Sequence, residues 1–193
     1  IISGVALLVA RHRGHRHGAA TVAGKCCEGH DHGEQSKVIR APRFYDGLVR
    51  VLTLGRERKF RQRTLDLAGL QPGERVLDVG CGTGTLLIEV AKRVGTSGAG
   101  HGVEPSSEMV AHARRKAEAQ GVTVNIQVGS ANRLPYPDAA FDVVFCTMVF
   151  HHLPATMQTA AIVEMRRVLR PGGRAVIVDL QRPKTIAAAL SLV

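Results

Sequence analysis

A chain of 193 residues with 45% hydrophobic side chains has the size and apolar content of one domain with a tail, which excludes a disordered protein. Aromatics are only 4% and Trp is absent, so the core must be aliphatic, as in a parallel sheet whose strands are buried on both faces. The formal charge of +10 invites a polyanionic partner. Much of the excess sits in residues 11–63 without aromatics interleaved among the basic residues. That pattern argues against a base-stacking nucleic-acid surface and leaves a solvated basic face or an anionic membrane surface.

Residues 1–10 are almost wholly apolar, and Arg11, Arg13 and Arg16 follow at once. A bilayer span needs about 20 residues. This run therefore reads as the remnant of a membrane segment with its basic flank on the cytoplasmic side, or else as a translated upstream region or a frayed terminus. Residues 11–37 are rich in Gly, His, Arg and Lys with no period of a strand or helix, the composition of a flexible leader. His12, His15, His17, His30 and His32 with Cys26 and Cys27 match no structural zinc spacing, so no metal site is expected. The remaining cysteines, Cys81 and Cys146, fall inside predicted core elements, which is not a secreted disulfide framework and suits a reducing cytoplasm.

The folded domain is expected over residues 38–193. From 38 to 70 apolar residues recur at helical spacing: Phe44, Leu48, Val51 and Leu52 share one face, and Leu65, Leu67, Ala68 and Leu70 another, with Gly55 breaking the stretch in two. Gln71–Pro72–Gly73–Glu74 is a turn. Strands and helices then alternate: strands over 75–79, 100–103, 122–128, 141–147 and 174–180, and helices over 85–94, 106–120 and 157–169, the third of them stopped by Pro171–Gly172–Gly173. Ser106 or Ser107 caps the second of these helices. Residues 185–193 begin another helix. This order predicts a doubly wound, mostly parallel α/β sheet of Rossmann-like type.

The sharpest motif is V-L-D-V-G-C-G-T-G-T at 76–85, leaving a hydrophobic strand and entering a helix. Gly80, Gly82 and Gly84 let the backbone turn tightly and let a ligand approach without an intervening Cβ. The dinucleotide fingerprint spaces its glycines G-x-G-x-x-G; here they run G-x-G-x-G, which disfavours a nicotinamide oxidoreductase. Asp78 lies inside the strand, where a carboxylate needs a partner, and a cationic or amino-bearing ligand supplies one.

This run resembles the first motif of class I S-adenosylmethionine-dependent methyltransferases, closest to the ubiquinone and menaquinone biosynthesis C-methyltransferase group. Later segments agree in order and spacing: G-V-E-P-S at 102–106, G-S-A-N-R-L-P-Y-P-D at 129–138, F-D-V-V-F-C-T-M-V-F-H-H-L at 141–153 and R-R-V-L-R-P-G-G-R at 166–174. The resemblance implies S-adenosylmethionine as cofactor, held by Asp78, Gly80, Cys81, Gly82, Thr83, Gly84, Glu104, Pro105, Ser106, Ser130, Ala131, Asn132 and Thr147. Glu104 would accept both ribose hydroxyls as a bidentate acceptor. Ser130 stands where relatives usually carry Asp, so the adenine contact falls to the Ser130 hydroxyl or to amides near Ala131 and Asn132.

The implied reaction is methyl transfer to a small lipophilic acceptor such as a quinol precursor, with His151 as the candidate base for a ring hydroxyl. A lipid-headgroup N-methyltransferase is the lesser alternative within the class. A non-catalytic or truncated donor-binding domain that serves as an interaction module is the alternative outside it. Amino-directed nucleic-acid methyltransferases typically carry N/D-P-P-Y/F after the fourth strand; T-M-V-F-H-H-L stands there instead. The class implies seven strands, the last two a hairpin. This chain is expected to stop after the fifth, leaving an unprotected edge. The expected location is the cytoplasm, with membrane association through the N-terminal segment.

Overall fold

The computed structural model describes residues 5–12 and 57–180. The His-rich stretch 13–37 with Cys26 and Cys27, the helical pattern over 38–56 and the helix expected over 185–193 lie outside the described residues.

The described chain runs β1 (Val5–Arg11), α1 (Glu57–Ala68), β2 (Arg75–Val79), α2 (Thr85–Val94), β3 (Ala99–Glu104), α3 (Ser107–Glu118), β4 (Asn125–Val128), β5 (Phe141–Thr147), a short 3-10 turn (Phe150–His152), α4 (Ala155–Val168) and β6 (Leu169–Leu180). The sheet order is β1-β6-β5-β2-β3-β4. All pairs are parallel except β1 with β6. The order reverses at β2, from which one half of the sheet grows through β3 and β4 and the other through β5 and β6. In such sheets the crevice past the carboxyl ends at the reversal is where ligands bind.

Alternation along the central strands sorts the core into two layers. Val76, Val143, Phe145, Val176 and Val178 pack with Leu65 and Ala68 of α1 and with Leu86, Val90 and Val94 of α2. Leu77, Val79, Val144, Cys146 and Ile177 face the other way, onto Ala161, Met165 and Val168 of α4. Burying both faces is what makes β5 read as an unbroken apolar run apart from Asp142. Asp142 is itself engaged: its Oδ2 accepts from the Arg75 amide at 2.7 Å, and Arg170 pairs with its Oδ1. The Gln71–Glu74 turn is clamped by Arg174, which donates to Glu74 Oε1 at 2.8 Å and Oε2 at 2.9 Å and to the Gly69 carbonyl at 3.0 Å.

Three elements differ from the sequence expectation. Val5–Arg11, read as part of a flexible leader and a membrane remnant, forms a strand paired over seven positions from Val5↔Leu180 to Arg11↔Arg174. The expected bare edge beyond the fifth parallel-type strand is therefore covered by an antiparallel neighbour. An apolar, largely β-branched or aliphatic run satisfies its backbone groups by joining a sheet edge, which a composition-based reading of the leader does not see. Pro171–Gly172–Gly173, expected as a stop before a strand at 174, sits as an irregularity within β6, where the register with β5 jumps from Phe141↔Leu169 to Val143↔Arg174. The third parallel strand is shorter than 122–128, because Val122 closes the helix end by donating to the Ala117 carbonyl at 3.0 Å. Among the described residues no helix is long and apolar enough to cross a membrane.

Candidate functional site

The glycine turn leaves β2 beside the end of β3. The Gly80 and Cys81 amides both donate to the Val103 carbonyl, at 2.7 and 3.1 Å, and the Gly84 amide closes the loop onto the Cys81 carbonyl at 2.9 Å. Gly80, Gly82 and Gly84 all have positive φ (72°, 53° and 73°), a region that costs L-residues free energy. Their surroundings differ. A Cβ on Gly80 would lie 2.4 Å from Val149 Cγ2, and one on Gly84 would lie 2.9 Å from Ala113 Cβ. Gly82 has nothing within 4 Å of that position, so its bare backbone faces open space. Cys81 is buried beneath the turn, and burial pushes its thiol up, away from reactivity. Thr83 is buried as well, with its hydroxyl 3.2 Å from that of Thr85.

Two acids flank this loop. Asp78 is 2% exposed, and its carboxyl is pushed up to about 8, first by burial and then by the charge of Glu104. No described cation offsets it. Glu104, at the end of β3, is held by two amides: Gly82 N–H donates to Oε2 at 3.0 Å and Ser106 N–H to Oε1 at 3.1 Å. Burial raises its carboxyl, and those amides act in the opposite direction. Each oxygen retains a lone pair for a hydroxyl donor. Pro105 carries the chain into α3, where Ser106 is the N-cap and accepts from the Met109 amide at 3.2 Å.

The loop after β4 forms another wall. Ser130 donates to Asn132 Oδ1 at 2.5 Å and bridges to Arg133, while Ala131 is packed into the core with Leu134. The arginine that holds this loop was not singled out from the sequence, although it lies in the R-R-V-L-R-P-G-G-R run. Arg167 donates to the carbonyls of Tyr136 (2.8 Å) and Leu134 (3.1 Å) and to Asp138 Oδ1 (2.8 Å). Glu164 braces it from the preceding helical turn at 2.7 Å and takes the Leu134 amide at 2.7 Å.

On the other side of the reversal, Thr147 ends β5 with its Oγ1 buried and without a hydrogen-bond partner among the described residues. Met148 follows with a φ of 59°, rare for a non-glycine residue, tied by its amide to the Val178 carbonyl at 2.7 Å. This kink throws Val149 onto Gly80 and starts the turn that carries His151 and His152. His151 Nδ1 is 2.7 Å from Asp179 Oδ1. His152 stacks on His151 with ring centroids 3.8 Å apart, and burial and then His151 keep its imidazole below the usual range. Gln158 pins the turn by donating to the Phe150 and Leu153 carbonyls, both at 2.9 Å. Sequence reasoning missed Asp179, Val149 and the Met148 kink. None has a signature separable from an ordinary strand end.

The residues named from sequence therefore lie at or just past the carboxyl ends of β2, β3, β4 and β5, with Cys81 and Ala131 buried beneath the others. An amine or sulfonium near Asp78 would relieve two neighbouring acids, a diol would meet Glu104, and Gly82 leaves room for close approach. Together the fold and these residues define a Rossmann-like α/β domain that sets a glycine turn and two neighbouring acids at the reversal of its sheet. The family model described as "Methyltransferase domain" matches residues 76–173, and the chain belongs to that family. It is 40% identical over 144 residues to a demethylmenaquinone methyltransferase of Thermus thermophilus, covering 74% of this chain and 63% of that protein. It is 36% identical over 141 residues to a 2-phytyl-1,4-naphtoquinone methyltransferase of Trichormus variabilis, covering 72% and 61%. The crystal structure of a SAM-dependent methyltransferase from Aquifex aeolicus aligns with a TM-score of 0.56 at 32% identity, over 64% of this chain and 67% of that one. The chain thus spans about three fifths of the length of the curated relatives it matches.

Proposed function

We propose that the protein transfers a methyl group from S-adenosylmethionine to a small lipophilic acceptor of the quinol type. The observation that carries this reading is Asp78: a carboxyl 2% exposed, raised to about 8, beside a second acid and with no described cation to offset it. Such an arrangement is unfavourable by itself and becomes favourable when a cationic ligand arrives. When bound, S-adenosylmethionine supplies a methyl group already activated on a positive sulfur.

The chain's own residues then have four tasks. Asp78 and Glu104 anchor and orient the donor, one by charge and one as a diol acceptor, with Gly80, Cys81, Gly82, Thr83, Gly84, Pro105 and Ser106 shaping that half of the crevice. Ser130, Ala131 and Asn132 border the base, in the loop that Arg167 holds. Thr147 Oγ1 offers a buried hydroxyl at the junction with the acceptor side. His151 takes the proton of a ring hydroxyl, which raises electron density on the neighbouring ring carbon and makes it nucleophilic. A naphthoquinol-like acceptor is supported by the names of the relatives, and with it we propose a reaction in the cytoplasm close to a membrane surface.

The test is calorimetry with S-adenosylmethionine and with NADH, on this chain and on Glu104→Ala, followed by methyl transfer to 1,4-naphthalenediol. Binding of the sulfonium alone, weakened strongly by the substitution, is the expected result. Donor binding without any turnover would support a non-catalytic binding domain instead. Absence of donor binding by the folded chain would overturn the reading.

A further inference from the structure

The carboxylate of Asp179 is 1% exposed near the carboxyl end of β6, and each of its oxygens meets His151. Oδ1 lies 2.7 Å from His151 Nδ1, and Oδ2 accepts from the His151 backbone amide at 3.3 Å. We propose that Asp179 is a positioning residue that locks His151 in the Nδ1–H tautomer, so that Nε2 is the ring nitrogen able to take a proton. This rests on the reading of His151 as the base that serves the acceptor.

The chemistry follows from the donor and acceptor inventory. With the Asp179 carboxylate as the acceptor of the pair, the hydrogen between two atoms 2.7 Å apart sits on Nδ1. A neutral imidazole has one N–H, so Nε2 is left with its lone pair. Ring orientation is set from two further directions. His152 covers one face at a centroid distance of 3.8 Å and a tilt of 44°. Gln158 of α4 holds the turn by its bonds to the Phe150 and Leu153 carbonyls. The turn also sits directly over the donor loop, because Val149, two residues before His151, is the side chain against Gly80. The imidazole is not sealed: its side chain is 23% exposed. A strand residue distant in sequence therefore dictates which nitrogen of a loop histidine does the work.

The tautomer can be read without donor or acceptor. Protein labelled with 15N-histidine, with the His151 signals assigned by their loss in His151→Gln, gives the protonated nitrogen from long-range proton–nitrogen correlations. The expected result for the unmodified chain, at a pH where the spectrum shows the His151 ring singly protonated, is Nδ1–H. Finding Nε2–H would overturn the proposal, with no variant needed. In Asp179→Asn the amide can donate to Nδ1, so the tautomer should invert while the histidine turn and the melting behaviour stay close to those of the parent. With S-adenosylmethionine and 1,4-naphthalenediol, the same variant should lose roughly 10²-fold or more in kcat with little change in KM. Inversion of the tautomer with kcat unchanged would refute the catalytic consequence. If the parent chain shows no methyl transfer, the acceptor reading fails, while the tautomer of His151 still decides the role of Asp179.

Discussion

Replacing Asp78 with Asn tests whether the site holds a buried acid, costly to ionise, for its ligand. The side chain is 2% exposed, and its carboxyl rises from the ordinary 3.8 to about 8 in the folded chain. A carboxyl raised on folding contributes stability below pH 3.8, and that contribution is lost progressively as pH climbs towards 8, where the loss levels off. At ~1.4 kcal/mol per pH unit, the loss at pH 7 is about 4 kcal/mol. Asn has the same shape and does not titrate. The variant should therefore melt higher at pH 7, by on the order of 10 °C for a domain of this size. The gain should shrink towards zero near pH 4 and be largest at pH 8 and above. Donor affinity should move the other way, falling on the order of a hundred-fold, since the buried negative partner is gone. Differential scanning calorimetry across this pH range, with parallel titrations of S-adenosylmethionine, measures both. A melting difference that is the same at pH 4 and pH 8, or a variant that melts lower at pH 7, would refute the reasoning.

A companion experiment uses the unmodified chain: donor binding at pH 7 should release close to one proton from Asp78, seen as a dependence of the calorimetric enthalpy on buffer ionisation heat, and the release should vanish well above pH 8. Gly80→Ala places a Cβ 2.4 Å from Val149 Cγ2 at a φ of 72°, so it should destabilise by about 2–4 kcal/mol in urea unfolding, and Val149→Ala should recover the steric part but not the backbone part. Arg167→Ala removes the donors that hold Leu134, Tyr136 and Asp138, and should cost about 1–3 kcal/mol, with hydrogen exchange rising in residues 133–138 ahead of the core strands.

Much of the proposed donor half was legible as local structure because its signals are local. The Gly80–Cys81–Gly82–Thr83–Gly84 turn announces itself by composition, the strand before it by an apolar run, and Asp78 by being an acid inside that run. Glu104 and the Ser106 cap follow from their place at a strand–helix junction. The acceptor half was less legible. His151 could be named as the histidine after a strand, but its partner Asp179 is 28 residues away and resembles any other acid at a strand end. The Met148 kink and the Val149–Gly80 contact depend on how β5 lies beside β2, information that no short window contains.

β1 marks the same boundary at the scale of the fold. Its residues are apolar enough to be a strand, a buried helix or the end of a membrane segment, and local pattern alone cannot separate these for a run this short. Local sequence determined where the strands and helices of the α/β alternation fall, and where the glycine turn lies, because periodicity, capping and glycine geometry act over a few neighbouring residues. Tertiary structure alone decided that Val5–Arg11 covers the β6 edge, that Arg167 holds the loop after β4, and that Asp179 faces His151. Those are pairings across the sheet, set by which backbone edges and buried charges remain to be satisfied once the core has packed.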